Sequence, residues 1–316
     1  DDQAAVESWM TGIVALIQSR DTHLLNEATR AAAHLANDKL DRRSLLKELM
    51  RLSVDTSVHL KERLVAIGVL VKHIETLQNV QFTAMIDGLR LEQPVLVRSL
   101  ASAAIQQASL NNQQLVMLSR ALKQVGPLEI GACLQPFTKS QQARVGATLI
   151  SGLRESPGLS AVTPALLKQV FKDYPVAVQS EVKALMQKID VGLEAKQERL
   201  SALLGELPEG DVRRGQGIFN SEKAACFSCH EIGYLGGNVG PDLTRIGRVR
   251  SREDLLEAIV FPSMSFVRSY EPYHLMTRDG DQHSGIIRND DGAVLILVTG
   301  PGQELKIGRD AVFELN

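Results

Sequence analysis

Three residues in the C-terminal third of the chain have the types and spacing for covalent cofactor chemistry. Cys226 and Cys229 are separated by two residues, and His230 follows the second cysteine directly. This CxxCH pattern is the attachment signature of a c-type haem. Two thiols that add to the two vinyl groups of a porphyrin must lie a fixed distance apart, and a histidine beside the second thiol is then placed under the iron. We therefore expect one covalent haem c, with His230 as the proximal iron ligand.

Two other chemistries use a pair of cysteines with this spacing. A thioredoxin-like CxxC requires a βαβ context, which the surrounding sequence does not predict. A zinc site requires two further ligands at suitable spacing. The sequence has no second CxxC, and the remaining C-terminal histidines are His274 and His283. The pattern therefore favours haem over both alternatives.

The residues around the motif also fit a haem pocket. Gly215 and Phe219 lie four apart on a predicted helix before the motif and share one face of it. The glycine would permit a close helix crossing, and the aromatic ring would lie beside the porphyrin. After the motif, a glycine-rich loop with the sequence GGNVGPDL contains Gly240, Pro241 and Leu243. By themselves these glycines indicate only a tight loop.

The order of these motifs resembles a known family. GxxxF, CxxCH, GGxVGPDLT, Ile-Gly-Arg and LLEAI follow one another within a region of about 105 residues. The region is similar to the haem-binding domain of the Pirellula/Verrucomicrobium type, and its Gly-Pro-x-Leu loop resembles that of class I cytochromes c. The resemblance implies that the carbonyl of Pro241 accepts a hydrogen bond from the ring of His230. It also implies haem attachment outside the bacterial cytoplasm, in the periplasm or at the surface.

The ligand on the other side of the iron is less well defined by the sequence. Electron-transfer haems usually have a methionine or a second histidine there. Met264 is the first choice, since it follows the predicted end of a helix, in a loop where class I cytochromes place this ligand. Met276, in a predicted strand, is the alternative, and His274 or His283 comes next. An open iron position is a further alternative.

The first 206 residues predict helices throughout. Apolar residues recur at helical spacing between breaks that contain Pro, Gly, Asn or Asp. Similar segments begin at Leu24, Leu60, Val95, Gln142 and Ala177, with intervals of 36, 35, 47 and 35 residues, and each places small residues where a helix would press on a neighbour. This spacing is near the HEAT period and predicts an α-solenoid, with an irregular helical bundle as the alternative.

Changes in composition predict the domain organisation. Residues 204–210 indicate a linker, and Asp211 is a candidate N-cap for a short helix. In the last 46 residues, short runs between turn signals alternate with a period of two, which predicts a small antiparallel sheet or partial barrel with strands at 273–277, 285–287, 294–298 and 304–307. The fold class is therefore mostly α. We predict a HEAT-like helical domain over residues 1–206, a cytochrome c-like haem domain over 207–270, and a β extension over 271–316.

Composition and charge argue against two kinds of partner. The chain has 35 basic and 37 acidic residues, a net charge of −2, and no strongly basic block, so nucleic acid is not an expected partner. No apolar run approaches the roughly 18 residues of a membrane span. The first residues lack a signal-peptide pattern, and we expect the chain to have been cut from a longer precursor or larger protein.

The predicted function is electron transfer by the c-type haem, with the helical repeats as a docking module. Proteins of the resembled type often carry helical repeats before the haem domain and a sugar-dehydrogenase-like β-propeller further upstream. The resemblance therefore implies a sugar or alcohol dehydrogenase as partner or as an upstream domain. One alternative is a haem enzyme or sensor whose open iron position binds peroxide or a small gas. Another is a repeat-based scaffold in which the haem is structural.

Overall fold

The computed structural model describes residues 2–35, 43–190, 192–261, 270, 272–279, 282–300 and 303–315. Within these residues it contains sixteen α-helices and seven β-strands. All strand pairings are antiparallel, and five of the strands form one sheet at the C-terminal end. The predicted class, mostly helical with a small C-terminal antiparallel sheet, is confirmed.

Helices account for most of the described chain up to residue 206. They are α1 (Asp2–Ser19), α2 (Thr22–Leu35), α3 (Arg43–Val54), α4 (Leu60–Leu70), α5 (Asn79–Gly88), α6 (Val95–Gln107), α7 (Asn112–Ala121), α8 (Ile130–Leu134), α9 (Ala143–Glu155), α10 (Pro164–Val170), α11 (Val176–Asp190) and α12 (Gly192–Glu206). The five similar sequence segments coincide with α2, α4, α6, α9 and α11. Helices two apart in this order contact one another in the pairs α1–α3, α2–α4, α3–α5, α5–α7 and α7–α9.

Side-chain caps fix where some of these helices begin. Before α7, the side chain of Asn111 accepts a hydrogen bond from the amide of Gln114 at 2.9 Å. The side chain of Gln114 in turn accepts one from the amide of Asn111 at 3.0 Å. This reciprocal capping box satisfies two backbone donors that the first helical turn cannot pair internally.

Small residues lie where neighbouring helices approach most closely, as the repeated segments predict. A Cβ atom on Gly152 of α9 would overlap the carbonyl oxygen of Ser119 on α7. A Cβ atom on Gly146 would lie 2.7 Å from the Tyr174 ring. Glycine therefore permits α9 to approach these neighbours directly, without a side chain between them.

The contacts divide the chain into two compact units. The first comprises Asp1–Gln93, Val97–Pro157 and Gln169–Gln179, and the second comprises Pro94–Leu96, Gly158–Lys168 and Ser180–Asn316. The two units alternate along the sequence, so the boundary predicted after residue 206 stays a prediction. Helix α12 continues to Glu206, so it includes the first three residues of the predicted linker.

The first unit has a dense apolar interior. Its fully buried side chains include those of Phe137, Met85 and Leu118. Cys133 is among the buried residues, as predicted, and burial raises the pKa of its thiol far above the ordinary range. The buried ion pair between Arg98 and Glu129, with a nitrogen–oxygen distance of 2.9 Å, lies in the same unit. Arg98 also donates to the carbonyl of Gln93 at 2.9 Å.

The second unit contains short helices and the sheet. The helices are α13 (Val212–Phe219), α14 (Cys226–Cys229), α15 (Ile246–Val249) and α16 (Arg252–Val260), and a small hairpin is formed by β1 (Glu231–Ile232) and β2 (Leu235–Gly236). Asp211 caps α13, as predicted, by accepting the amide of Arg214 at 2.9 Å. Helix α12 packs on α16.

The C-terminal sheet consists of five strands, β3 (Pro272–Thr277), β4 (Gln282–Asp290), β5 (Val294–Gly300), β6 (Gln303–Gly308) and β7 (Val312–Leu315). Their order is β6-β5-β4-β3-β7, so the chain forms a meander whose last strand returns beside the first. The first four strands were predicted and are confirmed. The sheet buries its own small apolar cluster, formed by Leu275, Leu295, Leu297 and Ile307.

Candidate cofactor site

The CxxCH motif forms one turn of helix. Cys226 and Cys229 are the first and last residues of α14, and both are half-buried free thiols. Ala225 precedes the helix with a φ of 49°, a left-handed conformation that turns the chain into it. The Ser228 hydroxyl donates to the carbonyl of Ala225, and the amide of His230 donates to the carbonyl of Cys226 at 2.9 Å. These bonds fix the backbone that carries the two thiols.

The imidazole of His230 is oriented by the backbone of the following loop. Its Nδ1 lies 2.9 Å from the carbonyl oxygen of Pro241. A carbonyl oxygen can only accept, so Nδ1 must carry the proton in this contact, and in the neutral ring the lone pair is then on Nε2. A ligating histidine needs this tautomer, with the second nitrogen held by a carbonyl or carboxylate. The hydrogen bond implied by the family resemblance is therefore confirmed.

The glycine-rich loop folds back onto the motif. Backbone hydrogen bonds run from Gly237 to the Phe227 carbonyl at 2.6 Å, from Gly240 to the Cys229 carbonyl at 2.7 Å, and from Leu243 to the Glu231 carbonyl at 2.8 Å. The loop therefore follows the CxxCH turn from one end to the other.

Gly236, Gly237 and Gly240 of this loop have no room for a Cβ atom beside the motif. A Cβ atom on Gly240 would overlap the imidazole ring of His230. A Cβ atom on Gly237 would overlap the carbonyl oxygen of Ser228. A larger residue at either position would push the loop away from the motif and would lengthen the hydrogen bond to the ring.

A second turn fixes the loop after Pro241. The Asp242 carboxylate accepts a hydrogen bond from the hydroxyl of Thr244, and a second one, at 2.7 Å, from the Thr244 amide. These two bonds lower the pKa of Asp242 below its ordinary value of 3.8, with a smaller effect from the positive charge of Arg245. The Thr244 hydroxyl also lies 2.7 Å from the amide of Gly233, to which it is bonded as acceptor. This turn therefore connects the loop to the β1–β2 hairpin.

The thiol of Cys229 is held in its neutral form. Burial raises its pKa above the ordinary value of 9.0, and the neighbouring Cys226 raises it further. At neutral pH the thiol is therefore protonated. The described residues contain no group of three or more His, Cys, Asp or Glu side chains that could hold a metal ion.

The segment around the motif lacks an apolar core of its own. From residue 201 to residue 261, Ala225 and Phe261 are the only buried residues. Large apolar side chains in this segment are instead exposed, namely Leu207, Val212, Ile218, Ile232, Tyr234, Leu235, Val249 and Ile259. An open depression of about 530 Å³ beside Tyr234 and Val249 does not include the thiols or the imidazole. Soluble domains rarely leave so much apolar surface uncovered.

The chain matches no protein-family model and no curated protein. The resemblance to the haem-binding domain therefore stays a proposal that depends on the motifs and on the geometry around them. Among the described residues, no helix has both the length and the apolar character needed to cross a membrane.

The other predicted residues have mixed outcomes. Phe219 ends α13 and is half-buried. The close helix crossing expected at Gly215 is wrong for the described residues, because the position of its Cβ has no neighbouring atom within 4 Å. Met264 lies outside the described residues. Met276 lies on β3, half-buried and paired with Gln282.

The two alternative histidines also lie on the sheet. His274 is on β3 and pairs with Ser284, and His283 is on β4 and pairs with Leu275. These positions on the sheet do not test whether either histidine is an iron ligand.

One residue that sequence analysis missed contacts the loop from the sheet. Arg288 of β4 donates to the carbonyl of Asn238 at 2.9 Å. Nothing in the sequence marks this arginine, because a charged residue on a strand is ordinary.

Proposed function

We propose that this chain carries one c-type haem on Cys226 and Cys229 and transfers electrons through it. The observation that carries the proposal is the hydrogen bond from His230 Nδ1 to the Pro241 carbonyl at 2.9 Å. It would leave Nε2 free to coordinate the iron, on a histidine that directly follows two cysteines in the CxxC spacing of haem attachment.

Each residue of the motif would have a separate task. The two thiols would add across the vinyl groups, so that each sulfur forms a thioether bond and each S–H proton goes to the neighbouring vinyl carbon. His230 would be the proximal ligand, and Pro241 would hold its ring. When bound, the haem supplies one-electron chemistry through its ferric and ferrous states. Gly240 would keep the loop close enough for this arrangement.

The distribution of apolar side chains supports a large apolar cofactor. Helices α13 to α16 have no buried residues of their own. A porphyrin bound beside the motif would cover part of this exposed apolar surface.

The helical region fits a docking role. Its helices contact one another in alternation along the chain, which supports the proposed HEAT-like solenoid, and a solenoid supplies an extended surface. Residues 209–316 have 12 basic and 16 acidic residues, and the preceding residues have 23 and 21, so neither part has a strong steering charge. We therefore propose that shape rather than charge selects a dehydrogenase partner. Haem attachment would place the protein outside the bacterial cytoplasm.

Optical spectra and partner kinetics test this function. The haem-loaded full chain should show a low-spin spectrum with a Met–iron band, and a sugar or alcohol dehydrogenase with its substrate should reduce it. Met264→Ala should remove the band and lower the reduction potential, because Met/His ligation raises it. Met276→Ala is the matched control, and loss of the band in that variant would transfer the ligand to Met276. A high-spin ferric spectrum with peroxide turnover and no reduction by a dehydrogenase would contradict electron transfer.

A further inference from the structure

Arg288 connects the C-terminal sheet to the loop that orients His230. Its Nη2 donates to the carbonyl of Asn238 at 2.9 Å, and its Nη1 pairs with the carboxylate of Glu304. Arg288 lies on β4 and Glu304 on β6, so the guanidinium is held from the sheet side. Asn238 lies three residues before Pro241, the residue whose carbonyl contacts the imidazole. Arg288 is thus connected to the proposed proximal ligand through the loop residues from Asn238 to Pro241.

The pairing of β4 with β5 is irregular at Arg288. Ile287 of β4 pairs with Leu297 of β5. Asn289 pairs with the adjacent residue of β5, Ile296, and the register shifts between them. Arg288 is therefore the extra residue of a β-bulge. Bulges redirect a side chain, and they are over-represented beside functional sites.

The contact falls where the loop most needs an external support. The loop contains three glycines, which have the greatest conformational freedom of any residue in the unfolded chain. Asn238 lies between Gly237 and Gly240, whose amides donate to the CxxCH turn at 2.6 and 2.7 Å. A hydrogen bond from a charged donor is stronger than one between neutral groups. Arg288 therefore restrains the loop between its two attachments to the motif.

We propose that Arg288 is a positioning residue, which fastens the glycine-rich loop so that the Pro241 carbonyl stays in hydrogen-bonding distance of His230. The strength of that hydrogen bond sets the basicity of a ligating imidazole and thereby the reduction potential of the iron. The C-terminal sheet thus acts on the proximal side of the site through one guanidinium. The effect on the potential rests on the proposed haem function, whereas the fastening of the loop does not.

Hydrogen exchange in the full chain tests the fastening. Arg288→Ala should speed exchange of the Gly237 and Gly240 amides by about fivefold or more, since one charge-assisted bond is lost from a partly exposed loop. Arg278→Ala is the matched control, because Arg278 also lies at the sheet and donates to the Asp310 carbonyl at 2.8 Å. It should change exchange of the loop amides by less than about twofold.

Two further variants separate positioning from charge. Arg288→Lys keeps the positive charge but loses the fork that reaches Asn238 and Glu304 together, so it should restore only part of the protection. Glu304→Gln keeps the arginine and weakens its support, and it should give a smaller acceleration at the same amides. It also serves as the test if Arg288→Ala does not fold.

The reduction potential and the exchange of the His230 Nδ1 proton give the second measurement, on the haem-loaded chain. Both should change in Arg288→Ala and stay near the wild-type values in Arg278→Ala. Equal changes in the two variants, or unchanged exchange of the loop amides in Arg288→Ala and Glu304→Gln, would overturn the positioning role. If the wild-type chain binds no haem, the proposed function fails, and exchange of the loop amides still decides whether Arg288 fastens the loop.

Discussion

The helical region and the segment around CxxCH differ in the interactions that specify their structure, which are buried apolar side chains in the first and backbone hydrogen bonds in the second. In the helical region, large apolar side chains such as Phe82, Leu118 and Phe137 are fully buried, and glycines permit the helices to approach closely. Between residues 201 and 261 nearly all side chains are exposed or half-buried, yet the backbone around His230 is closely specified by hydrogen bonds. The first region carries its core in its own sequence. In the second, hydrogen bonds specify the backbone while the apolar side chains stay exposed.

Removal of the two attachment thiols should break this comparison most strongly. In the Cys226→Ala/Cys229→Ala double variant, the haem is lost, so residues 207–261 should lose most of their amide protection relative to the haem-loaded chain. Residues 43–190 should keep theirs, because their core does not involve the haem. Hydrogen-exchange mass spectrometry of the full chain measures both regions at once.

Cys133→Ala is the matched control for the loss of the thiols. This cysteine is 0 % exposed, so its truncation should lower the free energy of unfolding of the helical region by about 1 kcal/mol and leave the haem in place. Protection of residues 207–261 that is equal in the double variant and in the haem-loaded chain would mean that this segment does not need a cofactor to fold.

A variant of the buried ion pair between Arg98 and Glu129 should destabilise the helical region and leave the haem site unchanged. Arg98→Ala would leave the carboxylate of Glu129, which is 2 % exposed, without its partner. The free energy of unfolding of the helical region should fall by about 3 kcal/mol, because an unpaired buried charge is costly. Denaturant unfolding followed by circular dichroism measures the loss, while the haem spectrum should not change.

An exposed pair provides the control for this variant. Arg90 lies 3.9 Å from Asp87, and both side chains are about half exposed. Arg90→Ala should cost less than about 0.5 kcal/mol, since exposed ion pairs contribute little. A similar loss in Arg90→Ala and Arg98→Ala would show that burial of the pair is not what stabilises this region.

A substitution at Gly240 tests how closely the glycine-rich loop must approach His230. Gly240→Ala would place a methyl group against the imidazole of His230, and the loop would have to move. We expect a loss of about 2 kcal/mol in stability of the haem-loaded domain, in the range that backbone displacement at a close contact costs. Gly247→Ala is the matched control, because its Cβ would have no neighbour within 4 Å. Thermal unfolding followed at the haem absorbance measures both, and equal effects would contradict the close contact at Gly240.

The smallest expected effect concerns acid. The folded pKa of Asp242 is lower than its ordinary value of 3.8, so folding favours the ionised form. That contribution is fully present above pH 3.8 and is lost as the pH falls through the lowered folded value. The amide shift of Thr244 in the NMR spectrum should therefore titrate with a midpoint below 3.8, and Asp242→Asn should abolish the titration. A midpoint at or above 3.8 would mean that the turn does not hold the carboxylate.

Sequence reasoning was most successful where a pattern of apolar residues has one structural consequence. Apolar periodicity predicted the helices, and alternation predicted β3 to β6, because both patterns follow directly from which face is buried. The contact between His230 and Pro241 came from the family resemblance. The short strand β7 was missed, since it is four residues long and follows a 3-10 turn at Arg309–Ala311.

Other features depend on tertiary contacts that leave no local pattern. The close crossing expected at Gly215 is absent from the described structure, because a glycine permits a close approach but does not cause one. The bulge at Arg288 and its contact with Asn238 depend on the register of the sheet, which no spacing in the sequence specifies.

The intact mass of the denatured protein tests the central claim most directly. The full chain, exported from a bacterial host with a c-type maturation system, should have the mass of the polypeptide plus one haem, and the haem should resist acid–acetone extraction. Cys226→Ala should lose one of the two thioether bonds. The double variant should have the mass of the polypeptide alone. A wild-type chain that emerges from that host at the polypeptide mass, or a double variant that still carries haem after extraction, would contradict covalent attachment at Cys226 and Cys229.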